Sequence, residues 1–104
     1  MIYAIATLHP RPAQHDALVA AFRDELPRVR AKHGSIEYSL AVHKQSGFPG
    51  QPPLDPDALI IVEKWSDLDS LKAHITDPHY QGWFSMIWQR LVASASMQVY
   101  ESID

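Results

Sequence analysis

The spacing of apolar residues switches between two periods along this chain, and that switch restricts the fold more than any other feature. Four segments show the alternation or the short apolar run that is typical of β-strands. They are residues 2–9, 35–43, 59–65 and 95–101. The third segment, Leu-Ile-Ile-Val-Glu-Lys-Trp, is so apolar that we expect both of its faces to be covered.

Helical spacing follows the first and the third of these strands. From Ala13 to Gly34 apolar residues recur every three or four positions, which predicts an amphipathic helix of about five turns. Pro27 lies inside this helix, and we expect a kink there. A second helical region follows residue 65 and is interrupted at Asp77-Pro78, where an aspartate cap and a proline at the first helical position start a new helix.

The predicted order is β-α-β-β-α-β, which is the ferredoxin-like split arrangement of an α+β protein. It predicts a four-stranded antiparallel sheet with the helices on one face. A chain of 104 residues allows one domain, residues 1–104. The other face of the sheet would be too apolar for water on the first and third strands. We therefore expect a homodimer in which two sheets pack through their open faces.

Composition excludes several classes of function. The chain has no cysteine, which excludes a disulfide framework, a thiolate zinc site, an iron–sulfur cluster and a cysteine nucleophile. A net charge of −3 argues against nucleic-acid binding. No apolar run reaches the length of about 18–20 residues that a membrane helix needs. The first residues alternate like a strand and lack a basic segment, so we expect no signal peptide and a cytoplasmic protein.

Glu63 is the most informative polar residue, because it lies in the apolar third strand with the same parity as Trp65. A buried acidic residue is costly unless it is paired or used. One interpretation is a carboxylate in a pocket between sheet and helices, with Trp65 as a flat wall for a planar ligand. The other is a glutamate near the strand end that bonds a neighbour or faces solvent. The residues alone leave both open.

Two histidines and several aromatic residues follow in the helical region. His74 and His79 are five residues apart across a helix break, which is not the spacing of two helical metal ligands, so we predict no metal site. On the residues alone, His74 is more often structural than catalytic. The aromatic side chains have core spacing, but they are more numerous than a small core requires, which indicates an apolar pocket for a small ligand. They are Tyr80, Trp83, Phe84 and Trp88.

The stretch from Glu63 to His79 resembles the antibiotic biosynthesis monooxygenase (ABM) family, closest to its small bacterial quinol monooxygenase branch. The matching features are Glu63-Lys-Trp65, a helix that ends in Ala73-His74, and the turn Thr76-Asp77-Pro78-His79. Pro27 in the long helix and Gly34 before the second strand also match, so the resemblance covers nearly the whole chain.

The resemblance implies a dimeric α+β barrel that oxygenates a quinol-like or polyphenolic aromatic with dioxygen and needs no flavin, haem or metal. His74 would accept the substrate proton or orient the group that does, and Glu63 would hold His74 or a substrate hydroxyl. Tyr38 would donate a hydrogen bond to the substrate, although cross-strand packing is its commoner role. The remaining substrate-binding residues would be Trp65, His79, Tyr80, Trp83 and Phe84.

Three alternatives on the same scaffold stay open. The chain could be a non-enzymatic small-molecule binder or stress protein, a phosphosugar isomerase, or a dimerising module with a vestigial pocket. A phosphosugar would require a basic side chain near the pocket, whereas Lys64 has outward parity and Lys72 is expected on the wet helix face. Haem-degrading relatives carry an asparagine on the first strand, where this chain offers Thr7.

Overall fold

The computed structural model describes all 104 residues, which form four strands and three helices. In chain order they are β1 (Ile2–Pro10), α1 (His15–Arg30), β2 (Ser35–Ala41), β3 (Leu59–Trp65), α2 (Leu68–Thr76), α3 (Pro78–Leu91) and β4 (Val92–Glu101). The predicted second helical region is therefore two helices, α2 and α3. None of the helices combines the length and the apolar character that crossing a membrane demands.

The strands form one antiparallel sheet in the order β2-β3-β1-β4, which confirms the predicted α+β, ferredoxin-like arrangement. Ala4 and Tyr38 are the partners of Glu63 on the two neighbouring strands. Since partners across a ladder share a face, these three side chains lie on the same side of the sheet. That side carries the buried core and faces the helices.

Helix α1 buries its apolar stripe against this side of the sheet. Leu18, Phe22 and Val29 follow one another at helical spacing and are at most 1% exposed. The helix continues through Pro27, and the backbone N–H of Ala31 bonds to the Pro27 carbonyl. The predicted helix is thus one piece, four residues shorter at its C-terminal end than the position of Gly34 suggested.

Aspartate caps define the ends of α2 and α3. The side chain of Asp67 accepts a hydrogen bond from the Ser70 backbone N–H at 2.7 Å. Asp77 ends α2 and caps α3, where it accepts from the His79 backbone N–H at 3.2 Å and Pro78 follows at the first position. The predicted interruption at Asp77-Pro78 is confirmed, and it lets α2 present its last turn to the sheet.

The strand boundaries differ from prediction at three ends. β1 runs to Pro10 instead of residue 9. β2 stops at Ala41 instead of residue 43, and β4 begins at Val92 instead of residue 95. A register shift between Ser35 and Glu37 also turns Ile36 away from the core, so that its side chain is 52% exposed. Alternation alone placed Ile36 with Tyr38, because period-two spacing cannot reveal a bulge.

Candidate functional site

A cavity of about 520 Å³ lies between the helix-facing side of the sheet and helices α2 and α3. Most of its wall is apolar, which is usual for a site that takes a small organic molecule. Ala6, Leu8 and Ile61 form part of its floor. The side toward β4 is open to solvent, because Met97 and its neighbours on that strand are exposed.

Glu63 brings a carboxyl group into this apolar wall. Its side of β3 faces the helices, so it is only 4% exposed. The indole Nε1–H of Trp65 donates a hydrogen bond to Glu63 Oε1 at 3.0 Å. Burial raises the pKa of Glu63 to about 7, and the indole bond offsets part of that rise. A carboxyl group whose pKa is near neutral can take a proton and return it at physiological pH.

His74, in the last turn of α2, lines the same cavity and is 2% exposed. Its ring stacks on Trp65 with centroids 5.0 Å apart and tilts against Tyr80 at 4.2 Å. Lys32 Nζ lies 2.9 Å from His74 Nδ1. Burial, and after it the charge of Lys32, lowers the pKa of His74 to about 4. The imidazole is therefore neutral at pH 7.

Two tyrosines complete the polar side of the site. Tyr80, in the first turns of α3, lines the cavity, and burial raises its pKa to about 12. Burial, with the nearby Tyr80 and Glu63, raises the pKa of Tyr38 well above its ordinary value. Both hydroxyls stay protonated at neutral pH and can donate hydrogen bonds.

Four of the eight predicted site residues line the cavity, and the other four lie behind its wall or at the surface. Glu63, His74, Tyr80 and Phe84 line the cavity, together with Trp88, which is 40% exposed. The other predicted residues are outside the wall. Trp65 and Tyr38 are buried against His74, Trp83 packs edge-on against Phe22 at 5.0 Å, and His79 lies at the surface with its Nε2 3.3 Å from Glu25 Oε1.

Sequence reasoning missed Lys32 and the polar residues of α3. Lys32 follows α1, at a charged position between the apolar ones, yet only 18% of its side chain is exposed. No local pattern signals this, because its partners lie 42 and more residues away. Gln81, Ser85 and Gln89 line the cavity on α3. Their spacing of four residues was a readable signal for a polar stripe.

The site combines groups suited to proton transfer with a wall suited to a flat ring. The carboxyl of Glu63 can accept a proton, and the Tyr80 hydroxyl can donate a hydrogen bond to the anion that results. No three His, Asp or Glu side chains lie close enough together to form a metal site. The arrangement fits abstraction of a proton from an acidic hydroxyl on an aromatic molecule.

Comparison with known proteins identifies relatives of this chain. YgiN of Escherichia coli K12, described as a probable quinol monooxygenase, is 29% identical over 85 residues, which are 80% of this chain and 81% of that protein. The crystal structure of SO0527 from Shewanella oneidensis has a TM-score of 0.82 at 25% identity and covers 97% of this chain and 89% of that one. Rv0793 from Mycobacterium tuberculosis has a TM-score of 0.79 at 23% identity, covers 99% and 95%, and shows the fold alone.

The family match covers most of the chain, and it includes the strand and helices that carry Glu63, His74 and Tyr80. Residues 1–85 match the sequence pattern of the family described as antibiotic biosynthesis monooxygenase. The resemblance noted from the Glu63–His79 stretch is thereby confirmed. This chain belongs to the antibiotic biosynthesis monooxygenase family.

Proposed function

We propose that this protein is a cofactor-independent monooxygenase that oxidises a quinol-like or polyphenolic aromatic with dioxygen. The observation that carries the proposal is Glu63, a 4% exposed carboxyl whose pKa is near 7, in the wall of an apolar cavity beside His74 and Tyr80. Family membership and the described activity of YgiN support the reaction class. A phenol bound with its hydroxyl at Glu63 would place its ring among Phe84, Tyr80 and Ile61.

The reaction begins when the Glu63 carboxylate takes the phenolic proton. The electron-rich quinolate gives one electron to dioxygen, and the resulting radical and superoxide combine to form a carbon–oxygen bond on the ring. The protonated peroxide then loses the ring C–H proton while its O–O bond breaks, so that a carbonyl forms and hydroxide leaves. One quinol and one dioxygen give one hydroxyquinone and one water. The substrate supplies all four electrons, and Glu63 ends as a carboxylate.

His74 acts as a hydrogen-bond donor in this scheme. The family resemblance implied that it accepts the proton or orients the group that does, and its contact with Lys32 favours orientation, because an ammonium group can only donate to Nδ1. The free nitrogen, Nε2, then carries the hydrogen and can donate to a phenolate or peroxide oxygen. Trp65 and Tyr38 support the ring of His74 from behind. His79, whose side chain is 47% exposed, contacts the buried Glu25 outside the cavity and has no part in this scheme.

The homodimer expected from the sequence is part of the proposal. The sheet face away from the helices carries Ile5, which is 38% exposed, and Tyr100, which is 47% exposed. Two such faces packed together would remove these apolar side chains from water. Sedimentation equilibrium of the wild type and of an Ile5→Lys variant tests this, since the variant should be monomeric if the face is the interface.

Oxygen consumption tests the proposed activity. Metal-stripped, flavin-free protein would be given a panel of hydroquinones and anthrone-like phenols, with autoxidation blanks. We expect uptake above the blank that survives a chelator and that falls by a factor of about 100 or more in Glu63→Gln. His74→Ala should also lose activity, whereas Lys72→Met, an exposed change on the outer side of α2, should not.

The same assay separates the alternatives. If Glu63→Gln and His74→Ala turn over as fast as the wild type, the assignment of the site is wrong. Binding of aromatic molecules with no oxygen uptake would support a non-enzymatic binder. Binding of a phosphosugar with no response to oxygen would support the isomerase. Either outcome would overturn the monooxygenase proposal.

A further inference from the structure

The environment of Lys32 is unusual for a lysine in so small a protein. Its ammonium lies 2.9 Å from His74 Nδ1 and 2.9 Å from Asp77 Oδ2. The same nitrogen lies 5.0 Å from the centre of the Tyr80 ring, over its face. Its side chain is 18% exposed. Three elements therefore converge on this one cation: the turn after α1, the last turn of α2 and the start of α3.

The contact with Lys32 decides which nitrogen of the neutral His74 ring carries the hydrogen. A lysine ammonium has three donor hydrogens and no acceptor, so a hydrogen bond between Lys32 and His74 requires Nδ1 to accept. A neutral imidazole that accepts at Nδ1 carries its hydrogen on Nε2. A doubly protonated ring would lose this bond and would place a second positive charge beside the ammonium.

The protein supplies no hydrogen-bond partner for His74 Nε2, although the ring lines the cavity. An N–H that has no protein partner and borders a cavity can donate to the oxygen of a molecule bound there. The ring is held by stacking on Trp65 and by the edge contact with Tyr38, so Nε2 keeps one direction. The missing partner for Nε2 is thus to be found in the cavity.

We propose that Lys32, held by Asp77, is a positioning residue that fixes His74 as the Nε2–H tautomer and so presents a hydrogen-bond donor to the substrate oxygen in the cavity. The hydrogen bond from His74 to the substrate rests on the proposed monooxygenase reaction, whereas the assignment of the His74 tautomer does not. Lys32 itself does not line this cavity, so it acts through His74. Without Lys32 either ring nitrogen could carry the hydrogen, and part of the population would present an acceptor.

The charged and titratable groups that face His74 all enter this balance. They are Lys32, Asp77 and Tyr80, with Tyr38 from β2 and Glu63 from β3. The positive charge of Lys32 favours a neutral ring and the negative charge of Asp77 opposes it, whereas the two tyrosines are uncharged and Glu63 is near its titration point at pH 7. Lys32 is the only cation among them, so its removal should raise the pKa of His74 toward its ordinary value.

Nitrogen-15 NMR of the six histidines reads the tautomer directly, without any turnover. The His74 signals would be assigned by their loss in His74→Gln. In the wild type we expect an unprotonated Nδ1 and a protonated Nε2 down to mildly acidic pH. Lys32→Met should give a mixture of tautomers and the higher pKa. Lys32→Gln keeps a donor without the charge, but its amide oxygen can also accept, so it should restore part of the tautomer preference and not the lower pKa.

Turnover supplies the second readout. We expect Lys32→Met to lower kcat by about tenfold, the size of one lost hydrogen bond to a charged group, with a smaller change in KM. Lys32→Gln should recover part of kcat, and Lys72→Met is the matched control. A His74 ring that is protonated at Nδ1 in the wild type, or whose tautomer is unchanged in Lys32→Met, would overturn the inference even if oxygen uptake is normal. The reverse result, the predicted tautomers without any oxygen uptake, would overturn the proposed function and leave the tautomer assignment standing.

Discussion

Replacement of Glu63 by glutamine should stabilise the protein at alkaline pH while it removes the activity. Burial raises the pKa of this carboxyl in the folded chain from its ordinary value of 4.5 to about 7. Below pH 4.5 the group is protonated in both the folded and the unfolded state, so its pKa shift does not lower the free energy of unfolding. Between 4.5 and 7 the unfolded chain releases the proton while the folded chain keeps it. The free energy of unfolding therefore falls as pH rises through this window and is constant above it.

The size of the effect follows from the same two values. A difference of one pH unit in pKa corresponds to about 1.4 kcal/mol, so the rise from 4.5 to about 7 costs the wild type about 3 kcal/mol at alkaline pH. Glutamine has nearly the same shape and is uncharged at every pH. Its amide oxygen can accept the hydrogen bond that Trp65 donates to Glu63. The variant therefore keeps the contact and loses the cost of ionisation.

Urea unfolding followed by tryptophan fluorescence measures this cost. Wild type and Glu63→Gln would be compared at about pH 5 and about pH 8.5, at one protein concentration. We expect the variant to gain about 3 kcal/mol over the wild type at the higher pH and little at the lower one. Glu37→Gln, on the opposite face of the sheet beside Lys64, is the control and should show no such gain. If Glu63→Gln has the same effect at both pH values, or is less stable at pH 8.5, burial does not set the protonation of Glu63.

Two further predictions concern the turns that position the sheet and helices. Gly34 has a φ of +80°, and a Cβ there would lie 2.5 Å from the Cβ of Ser70 and closer still to its hydroxyl. Gly34→Ala should therefore lower the free energy of unfolding in urea by about 2–4 kcal/mol. Gly82→Ala, where no atom lies near the new Cβ, should raise it by up to about 1 kcal/mol. Equal stabilities of the two variants would contradict this prediction. Asp55 anchors the 42–58 segment through His9 Nδ1 at 2.6 Å, and the hydrogen bond from His9 is the main reason that the pKa of Asp55 is below its ordinary value. Asp55→Asn should speed hydrogen exchange in that segment at pH 7. It should have no such effect at a pH low enough to protonate Asp55 in the wild type. Unchanged exchange at pH 7 would show that other contacts hold the segment.

Much of the fold could be predicted because its signals are local. The bounds of β3, Leu59–Trp65, were correct to the residue, since a continuous apolar run bounded by polar turns has one interpretation. The helix break at Asp77-Pro78 was also readable, because an aspartate cap followed by proline is a chemical signal in adjacent residues. Predicted boundaries were wrong where pairing with a neighbouring strand decides them, as at the ends of β2 and β4. The alternation of residues also gave no signal for the register shift beside Ile36.

The site could be predicted only in part. The parity of β3 grouped Glu63 with Ile61 and Trp65, and the structure shows that this side of the sheet faces the helices. Helical spacing brought Tyr80 and Phe84 to one face of α3. Spacing did not separate the residues that line the cavity from those behind it. Trp83 and Phe84 are adjacent in sequence, yet only Phe84 lines the cavity. Spacing likewise did not indicate that Trp88 lines the cavity together with Ala95 and Met97 of β4.

The sequence by itself determined which residue types share a side of each element: a carboxyl among the apolar residues of a strand, a histidine in a short helix and a set of aromatic rings. Periodicity carries that information, because side-chain direction repeats along a regular element. Only the tertiary structure decided the protonation of these groups. The pKa of Glu63 is near 7 because the packed helices exclude water from it. His74 is neutral because burial, and after it the charge of Lys32, 42 residues away in the chain, lowers the pKa of its ring. Desolvation and charge contact depend on distance in space, and no local pattern records that distance.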